Sequence, residues 1–548
     1  MNKTSLLSPA LLMPLVWLVI LFAVAVGPID YFSQPSWPVL VIVGCGVGLF
    51  CAVCRAGTMI FDVWIARRTP LPLPSQTVLN RTVVIASLLG LAGIAMIALD
   101  RTVLSGVNNS GYAALLRCAP ELVDYIEIKR TVFIYLGYVT FSFGFVSLAL
   151  FLLRGEEIQG WPAALAQLSI LSPVGYALLY SGRMPILLVI ALIFSVGLVR
   201  LVQGRSFLPR GYRLAIKTVL FAALFMFYAN AMWSVRQNFC SSMSGLVEEL
   251  RLRVKEQASR AATQANERRV EILRQLGSPN LSQEERQHLQ QQLNAIDGII
   301  ATAGKGGHQT SMGAENLSEM IEKRKGDATL PVELRGGRTD FALFAAVMRD
   351  AWHAQPRGYV LSAAESQLVP ENSIRSILSN YFYLTHGVRT LDTVWQAREN
   401  LTPVWGVYEV GILSPLLRVF FPDNQTLSSM SSQLRSAEIY GFFPSAWGAA
   451  YIDFGASGAT IYIVLWGLVA GLSFRGSQVS KLTTPPLILT FIFSSIALSP
   501  LQGPLGIANS ALVLVSMLIV GLAIDFTIIK QGRSTLVAAD ACSESNAS

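Results

Sequence analysis

Charged residues are scarce in this sequence for a chain of its length. Only 14% of the 548 residues are Asp, Glu, Lys or Arg, 52% are hydrophobic, and the mean hydropathy is +0.49. A soluble domain carries about 25% charged residues. A larger core does not explain the deficit, because hydrophobic cores stop growing beyond about 250–300 residues. Much of the surface must therefore face lipid rather than water.

The sequence also lacks the patterns of a disulfide framework, a metal site or a nucleic-acid surface. Cys51 and Cys54 form a Cys-x-x-Cys pair inside an apolar run without a second pair or a histidine nearby, so we interpret them as packing residues. No His, Cys or carboxylate spacing predicts a metal, and we expect no metal and no cofactor. The net charge of +8 comes from short loops rather than a basic stripe with aromatics, so we expect no nucleic-acid partner.

Long apolar runs predict an all-α polytopic membrane protein with about 10–12 transmembrane helices. One further run, Trp405–Phe421, carries Glu409, Pro415 and Arg418 and is interpreted as an eleventh span, a possible re-entrant segment or an interfacial helix. The ten runs interpreted as spans are Pro9–Pro28, Trp37–Cys54, Thr82–Leu99, Val132–Leu153, Pro162–Tyr180, Pro185–Val202, Leu214–Met232, Ala456–Phe474, Pro486–Leu498 and Ala511–Ile529. The run Pro486–Leu498 is short and flanked by prolines.

The distribution of Lys and Arg among the loops predicts the orientation. Basic residues flank the second, sixth and penultimate loops and follow the last span, whereas the first loop has none. The positive-inside rule then places both termini in the cytoplasm. The chain divides into an N-terminal transmembrane block of about seven spans (1–234), a large, mainly helical outward insert between spans 7 and 8 (235–455), a C-terminal block of about three spans (456–530) and a tail (531–548) expected to be disordered.

Two amphipathic stretches within the insert predict a helical hairpin at about residues 243–300. Apolar residues recur at helical spacing before a Gly-Ser-Pro-Asn break, and a second helical stretch follows. The alternative interpretation is a solvated arm used for packing or self-association.

Arg183 is the sharpest candidate for a site residue. It lies in the Tyr180–Pro185 turn between the fifth and sixth predicted spans, on the outward side, against the positive-inside trend. A guanidinium there could clamp a phosphate in a bidentate manner, with help from the N-terminus of the following helix. The alternative is an interfacial arginine that reaches toward lipid headgroups.

Further polar and aromatic candidates lie in two outward regions. The loop Asp100–Arg130 contains Arg101 and Arg117, with an ordinary solvated loop as the alternative. The end of the insert combines aromatic faces, which suit sugar rings, with charged groups. For His386 the alternative is a packing residue, and for Asp453 it is a helix N-cap. The candidates in this second region are Tyr383, His386, Arg389, Arg435, Glu438, Tyr440, Tyr451 and Asp453.

The order of these motifs resembles the Wzy-type oligosaccharide repeat-unit polymerases of the O-antigen polymerase superfamily. The pieces that match are Asp100-Arg101, Ser181-Gly182-Arg183, His386-Gly387 and the Gly-x-x-Tyr-x-Asp-Phe-Gly-x-x-Gly stretch Gly448–Gly458. The resemblance covers the plan from about residue 80 to the C-terminus, and residues 241–340 have no counterpart in it.

This resemblance implies a metal-independent, GT-C-like glycosyltransferase in the bacterial inner membrane. Such an enzyme joins undecaprenyl-pyrophosphate-linked repeat units at the periplasmic face into a surface polysaccharide (O-antigen, capsule or exopolysaccharide). Its implied partners are the lipid-linked oligosaccharide, the bilayer, and possible flippase and chain-length regulator proteins. The implied catalytic residues are Arg183, Asp453, His386 and Glu438, and the implied substrate-binding residues are Arg101, Arg117, Arg389, Arg435, Tyr383, Tyr440 and Tyr451.

Three other functions remain open from the sequence. An O-antigen ligase would use a similar lipid donor and a different acceptor. A polysaccharide or lipid transporter would need ionisable residues within the spans and inverted repeats of broken helices, and neither pattern is evident in the sequence. A sensor or assembly scaffold would rely on the helical hairpin instead.

Overall fold

A computed structural model gives the architecture of the chain. It describes residues 7–64, 74–104, 126–127, 131–180, 182, 184–209, 216, 219–220, 223–224, 227, 244–276, 283, 286–287, 289–290, 292–293, 296, 312–313, 341, 344–345, 348–349, 352–366, 369–421, 426–439, 443–506 and 509–545. The helices are α1 (Pro9–Val26), α2 (Trp37–Trp64), α3 (Gln76–Leu99), α4 (Val132–Phe141), α5 (Phe143–Arg154), α6 (Trp161–Leu168), α7 (Leu171–Leu179), α8 (Met184–Val202), α9 (Ser244–Leu276), α10 (Gly358–Glu365), α11 (Glu371–Gln396), α12 (Leu413–Phe420), α13 (Thr426–Ser436), α14 (Ser445–Val479), α15 (Thr484–Leu498) and α16 (Ser510–Ser545).

The prediction of an all-α polytopic membrane protein is confirmed. Among the described residues, eight helical segments are long and apolar enough to cross a membrane, and α15 is a shorter apolar helix. They coincide with nine of the ten predicted runs, since α4 with α5 and α6 with α7 each form one span. The predicted run Leu214–Met232 lies mostly outside the described residues.

Two predicted segments differ from the structure. The Trp405–Phe421 run contains turns followed by the eight-residue helix α12, which at 1.5 Å per residue is about 12 Å long and too short to span a bilayer. An eleventh span at this position is therefore wrong.

The tail beyond residue 530 was expected to be disordered, but α16 continues through it to Ser545, where alanines and a leucine favour the helix.

Close contacts between helices are built on glycines. A Cβ at Gly471 of α14 would overlap the Cys54 carbonyl oxygen of α2, and one at Gly57 of α2 would lie 2.7 Å from the Leu468 carbonyl oxygen of α14. Gly93 of α3 meets the backbone of α4 in the same way. Small residues let membrane helices approach until their backbones touch. Helix α2 and residues 467–476 of α14 therefore pack closely and run parallel, from the Phe50–Gly467 contact to the Phe61–Gly476 contact.

The chain folds as two compact units, and the bundle forms the larger one. This unit comprises Met1–Ile97, Phe133–Asn230 and Arg335–Ser548, so the second half of the predicted insert belongs to the same unit as the spans. A short antiparallel pair links β1 (Ile29–Tyr31) to β2 (Ala354–Pro356), with Ile29 opposite Pro356.

The second unit comprises Ala98–Val132 and Ala231–Leu334. Its long helix α9 buries Ala265 and Ile272 against Leu293 and Ile296, which lie in the stretch where we predicted the second arm of a hairpin. A π-helix at Asp100–Leu104 follows α3 and buries Asp100 and Arg101. The Asp100 carboxylate accepts hydrogen bonds from the backbone N–H (3.2 Å) and the hydroxyl of Thr131.

Candidate functional site

Helix α14 is broken at Gly455 and folds back on itself. Gly455 has φ 64° and ψ −171°, a conformation suited to glycine. The rings of Trp447 and Trp466 lie 6.1 Å apart, and those of Phe454 and Tyr462 lie 5.6 Å apart. In a straight helix, residues 19 positions apart would be separated by about 28 Å. Residues 445–454 therefore form a half-helix that runs antiparallel to the rest of α14.

The half-helix begins at a loop within the depth of the bundle, which we call the tip loop; its described residues are 499–506 and 509. The N–H groups of Ser445 and Ala446 donate to the carbonyl oxygens of Leu501 (2.9 Å) and Ser499 (2.7 Å). Ser499 also accepts a hydrogen bond from Trp17, near the middle of α1, at 3.0 Å. Because α15 has only 15 residues, or about 22 Å against a hydrocarbon thickness of about 30 Å, the tip loop lies at membrane depth.

Helix α11 packs against the end of the bundle at which α1 terminates, and we call this end the α11 end. The Tyr381 hydroxyl donates to the Ala23 carbonyl oxygen in the last turn of α1, and the hydroxyls of Tyr31 and Thr385 are 2.7 Å apart. Gly387 of α11 lies against the carbonyl oxygen of Pro500 in the tip loop. The helix is thereby fixed to both α1 and the tip loop.

Asp453 holds residues 404–412, the Glu409 segment, against the half-helix. Its Oδ1 accepts hydrogen bonds from the N–H groups of Gly406 (3.0 Å) and Tyr408 (2.9 Å), and its Oδ2 accepts from that of Glu409 (2.7 Å). The Trp405 N–H donates to the Asp453 carbonyl oxygen at 2.8 Å. Three backbone donors favour the carboxylate form, so Asp453 acts here as an anchor of the Glu409 segment.

Glu409 is buried in the middle of this arrangement, with 1% of its surface exposed. Its Oε1 accepts hydrogen bonds from the Tyr462 hydroxyl (2.7 Å) and the Leu505 N–H (3.0 Å). Its Oε2 is buried and has no hydrogen-bond partner among the described residues. Burial, with the charge of Asp453, raises the pKa of Glu409 to about 7, against the opposing hydrogen bonds from Leu505 and Tyr462. It is thus a carboxyl group that can exchange a proton near neutral pH.

A tyrosine cluster connects the tip loop to the turn that contains Arg183. Asn509 donates to the Tyr176 hydroxyl at 3.3 Å, and the hydroxyls of Tyr138 and Tyr180 are hydrogen-bonded. Tyr180 immediately precedes Ser181, and the Gly182 N–H donates to the Ala177 carbonyl oxygen at 2.9 Å. Arg183 itself lies outside the described residues, as do Arg117 and Tyr440. Gly182 and Met184, the described residues on either side of Arg183 in the sequence, lie at the α11 end.

His386 is a packing residue in this structure. Its Nδ1 is 3.0 Å from the Phe382 carbonyl oxygen, and its Nε2 accepts from the Phe443 N–H at 3.2 Å. Its ring stacks on Phe382 at 5.0 Å. Burial lowers the pKa of His386 to about 4. A neutral imidazole with both nitrogens engaged fixes the chain that enters the half-helix.

The His386 environment predicts an acid-sensitive stability. Because its folded pKa is depressed from 6.5, the stabilisation is complete above about pH 6.5 and is lost as pH falls toward 4, by about 2 kcal/mol at pH 5. We expect the melting temperature of His386→Gln to fall less between pH 7.5 and pH 5 than that of the wild type. Equal falls in the two proteins would show that His386 does not titrate in this way.

The structure places the remaining candidates as follows. Arg389 is half-buried and donates to the Trp352 carbonyl oxygen at 2.6 Å, and Tyr383 lies one turn from His386 on α11. Glu438 is exposed and has a φ of 56°. Its carboxylate interacts electrostatically with the Arg389 guanidinium. Arg435 is partly buried at the end of α13, and Tyr451 packs against the apolar cluster around Val404. The larger unit thus brings together α11 and the half-helix, whereas Arg101 belongs to the second unit.

Glu409 was not among the residues that we ranked as candidates from the sequence. The available signal was a carboxylate inside the apolar run Trp405–Phe421, and ionisable residues at membrane depth are rare and commonly functional. Its partner Tyr462 gave no signal, because only the break at Gly455 brings them together. Within the described part of the chain, no three His, Cys, Asp or Glu side chains form a group suited to a metal ion.

Comparisons with protein-family models, with curated proteins and with solved structures give no match to this chain, and the functional argument therefore depends on the site itself.

Proposed function

We propose that this protein is a membrane glycosyltransferase that polymerises undecaprenyl-pyrophosphate-linked oligosaccharide repeat units. One observation carries the proposal. The half-helix, the tip loop and the Glu409 segment meet at membrane depth beside Tyr176 and Tyr180, the helix end from which Ser181-Gly182-Arg183 continues. Polar groups at that depth are costly, and a lipid-linked pyrophosphate with an attached glycan needs a polar site at that level.

The charges at the other end of the bundle support the orientation that this function requires. Arg200 is buried and pairs with Glu156, Arg154 pairs with Glu157, and Arg475 at the end of α14 pairs with Asp62. Basic residues mark the cytoplasmic side of membrane proteins. In this proposal the α11 end faces the periplasm of a bacterial inner membrane and both termini are cytoplasmic. A flippase and a chain-length regulator remain proposed partners.

The chemistry assigns the main charge-stabilising role to Arg183. A leaving pyrophosphate develops negative charge, and a preorganised guanidinium in a partly dry site stabilises it strongly. Arg389 is less available to bind the pyrophosphate, because it already donates to the Trp352 carbonyl oxygen. This hydrogen bond holds the backbone at Trp352 against α11. The lipid tails of the substrates must reach the site from the bilayer, so we expect an opening between the spans.

Arg183→Ala and Arg183→Lys are both expected to abolish long-chain glycan without lowering protein abundance. Lysine fails because it cannot make the planar two-point contact with phosphate, and loss of one such charge contact costs about 10²–10³ in rate. The measurement is the gel profile of surface polysaccharide together with a membrane immunoblot. Arg475→Lys, at the opposite end of the bundle, is the matched control and should keep a full ladder.

Full chain length in Arg183→Lys would rule out the bidentate clamp. A profile in which the polysaccharide is lost from its acceptor, rather than shortened to a single repeat, would instead indicate an O-antigen ligase.

The broken helix and the buried carboxyl favour a second candidate, a polysaccharide or lipid transporter. Transporters commonly bind substrates at discontinuous helices near the membrane midplane, and α14 breaks at Gly455 next to Glu409. The two candidates differ in proteoliposomes loaded with a lipid-linked repeat unit. A polymerase lengthens the glycan without moving it across the bilayer, whereas a transporter moves it without lengthening it.

A further inference from the structure

Among the described residues, hydrogen bonds are made to only one of the two carboxylate oxygens of Glu409. Tyr462 and the Leu505 N–H both bond to Oε1, and Oε2 is buried without a partner among the described residues. A buried, unsatisfied polar atom is destabilising, and native proteins contain few of them. The cost indicates that Oε2 has a partner at another stage of the protein's work.

The protein is built to bring Glu409 to this position. Gly503 of the tip loop has no side chain, and a Cβ there would overlap Oε1. The backbone reaches Glu409 through Trp405 (φ 54°) and Gly406 (φ 89°), and such left-handed conformations are unfavourable for a bulky residue such as tryptophan. Asp453 then accepts the N–H of Glu409 itself. The tip loop, the Glu409 segment and the half-helix thus all help to hold this one carboxyl group in place.

We propose that Glu409 is the general base that accepts the proton of the acceptor sugar hydroxyl; this inference rests on the proposed function. The hydroxyl oxygen attacks the anomeric carbon of the donor glycan as its proton passes to Oε2 of Glu409. The bond from the anomeric carbon to the pyrophosphate oxygen breaks, and its electron pair leaves with the carrier pyrophosphate.

The other three acid–base candidates, Asp453, His386 and Glu438, are less suited to this role. Asp453 uses both carboxylate oxygens to accept three backbone N–H groups, so taking up a proton would disrupt the Glu409 segment. His386 has both ring nitrogens engaged with backbone groups. Glu438 is exposed and lacks the desolvation that tunes a catalytic carboxyl group. A base works best with a pKa near the operating pH, and the value of about 7 for Glu409 meets this requirement.

The charged and titratable groups that face Glu409 define the expected pH response. Asp453 and Tyr462 from α14 and Tyr408 from its own segment surround it, and the tip loop contributes the Leu505 N–H. The wild-type rate should therefore rise with pH through about 7 as Glu409 ionises. Tyr462→Phe removes a hydrogen bond to the ionised form and should move this rise to higher pH.

The test is the pH dependence of single-turnover elongation by the purified full-length protein, between pH 5.5 and 8.5, with a lipid-linked repeat unit as substrate. Glu409→Gln should lower the rate at pH 7.5 at least about 100-fold, a typical contribution of general base catalysis, and should abolish the rise. The affinity for the lipid-linked donor should stay close to that of the wild type, because a general base acts on the rate of the chemical step. Glu399→Gln, an exposed change next to α11, is the control and should match the wild type.

The outcomes separate this inference from the proposed function. If wild type elongates and folded Glu409→Gln elongates within tenfold of it with an unchanged pH profile, Glu409 is not the base, although the polymerase proposal stands. If Glu409→Gln does not fold, Tyr462→Phe decides: an unmoved pH profile overturns the inference. If wild type itself fails to elongate, the proposed function and this inference fall together.

Discussion

Replacing Asp453 by alanine is expected to release the Glu409 segment and to destabilise the protein by about 3–5 kcal/mol. Three backbone N–H groups lose a charged acceptor at once, and each hydrogen bond to a charged group contributes about 1.5–3 kcal/mol, part of which water recovers when the segment opens. Glycan elongation should be lost with it, because Glu409 and the tip loop would no longer meet. Thermal unfolding in detergent and limited proteolysis within residues 404–412 measure the two effects.

Asp453→Asn gives a graded version of the same experiment. The amide keeps one acceptor oxygen but turns an NH₂ group toward a backbone N–H, so we expect a loss smaller than that of alanine and faster proteolysis than wild type. Asp62→Ala removes an exposed ion pair at the opposite end and should change stability by less than about 1 kcal/mol. A melting temperature of Asp453→Ala equal to that of Asp62→Ala would show that the anchor is unimportant.

The second large effect is expected at Gly387, where α11 touches the tip loop. A Cβ at this position would overlap the Pro500 carbonyl oxygen and lie 3.3 Å from that of Phe443. Both neighbours are backbone atoms, so Gly387→Ala must push α11 and the tip loop apart. Overpacking of this kind lowers the free energy of unfolding by about 1–3 kcal/mol or more. Elongation should fall at least tenfold, because the same loop also contacts Glu409 through Leu505. The melting temperature and the elongation rate check the two parts.

Gly358 provides the matched control for this substitution. It lies at the start of α10, and a Cβ built there meets nothing within 4 Å. Gly358→Ala should therefore keep both wild-type stability and wild-type elongation. Normal elongation in Gly387→Ala would mean that the spacing between α11 and the tip loop does not matter to the site.

The membrane spans could be predicted because their signal is local. About 20 consecutive apolar residues are needed to cross the hydrocarbon core, and runs such as Pro9–Pro28 and Ala511–Ile529 coincide with α1 and the membrane part of α16. The break in α14 could not be predicted in this way. A glycine at position 455 permits a left-handed conformation but does not by itself produce a break. The fold-back also requires the Trp447–Trp466 contact and the anchoring of distant residues by Asp453.

The candidate site was only partly predictable for the same reason. His386 and Asp453 were singled out from the sequence as candidate catalytic residues. The structure shows both buried, with backbone partners more than 40 residues away, such as Phe443 for His386 and Gly406 for Asp453. Glu409 acquires its environment from α14 and the tip loop, which lie 53 and 96 residues further along the chain. The proposed role of Arg183 remains a prediction from its turn and charge.

Elongation by purified wild-type protein in liposomes, supplied with the undecaprenyl-pyrophosphate-linked repeat unit alone, tests the central proposal most directly. The proposal predicts a ladder of glycans that differ by one repeat, with one carrier pyrophosphate released for each bond formed. A repeat unit that stays unextended, or that is consumed only when a separate lipid acceptor is added, would contradict it.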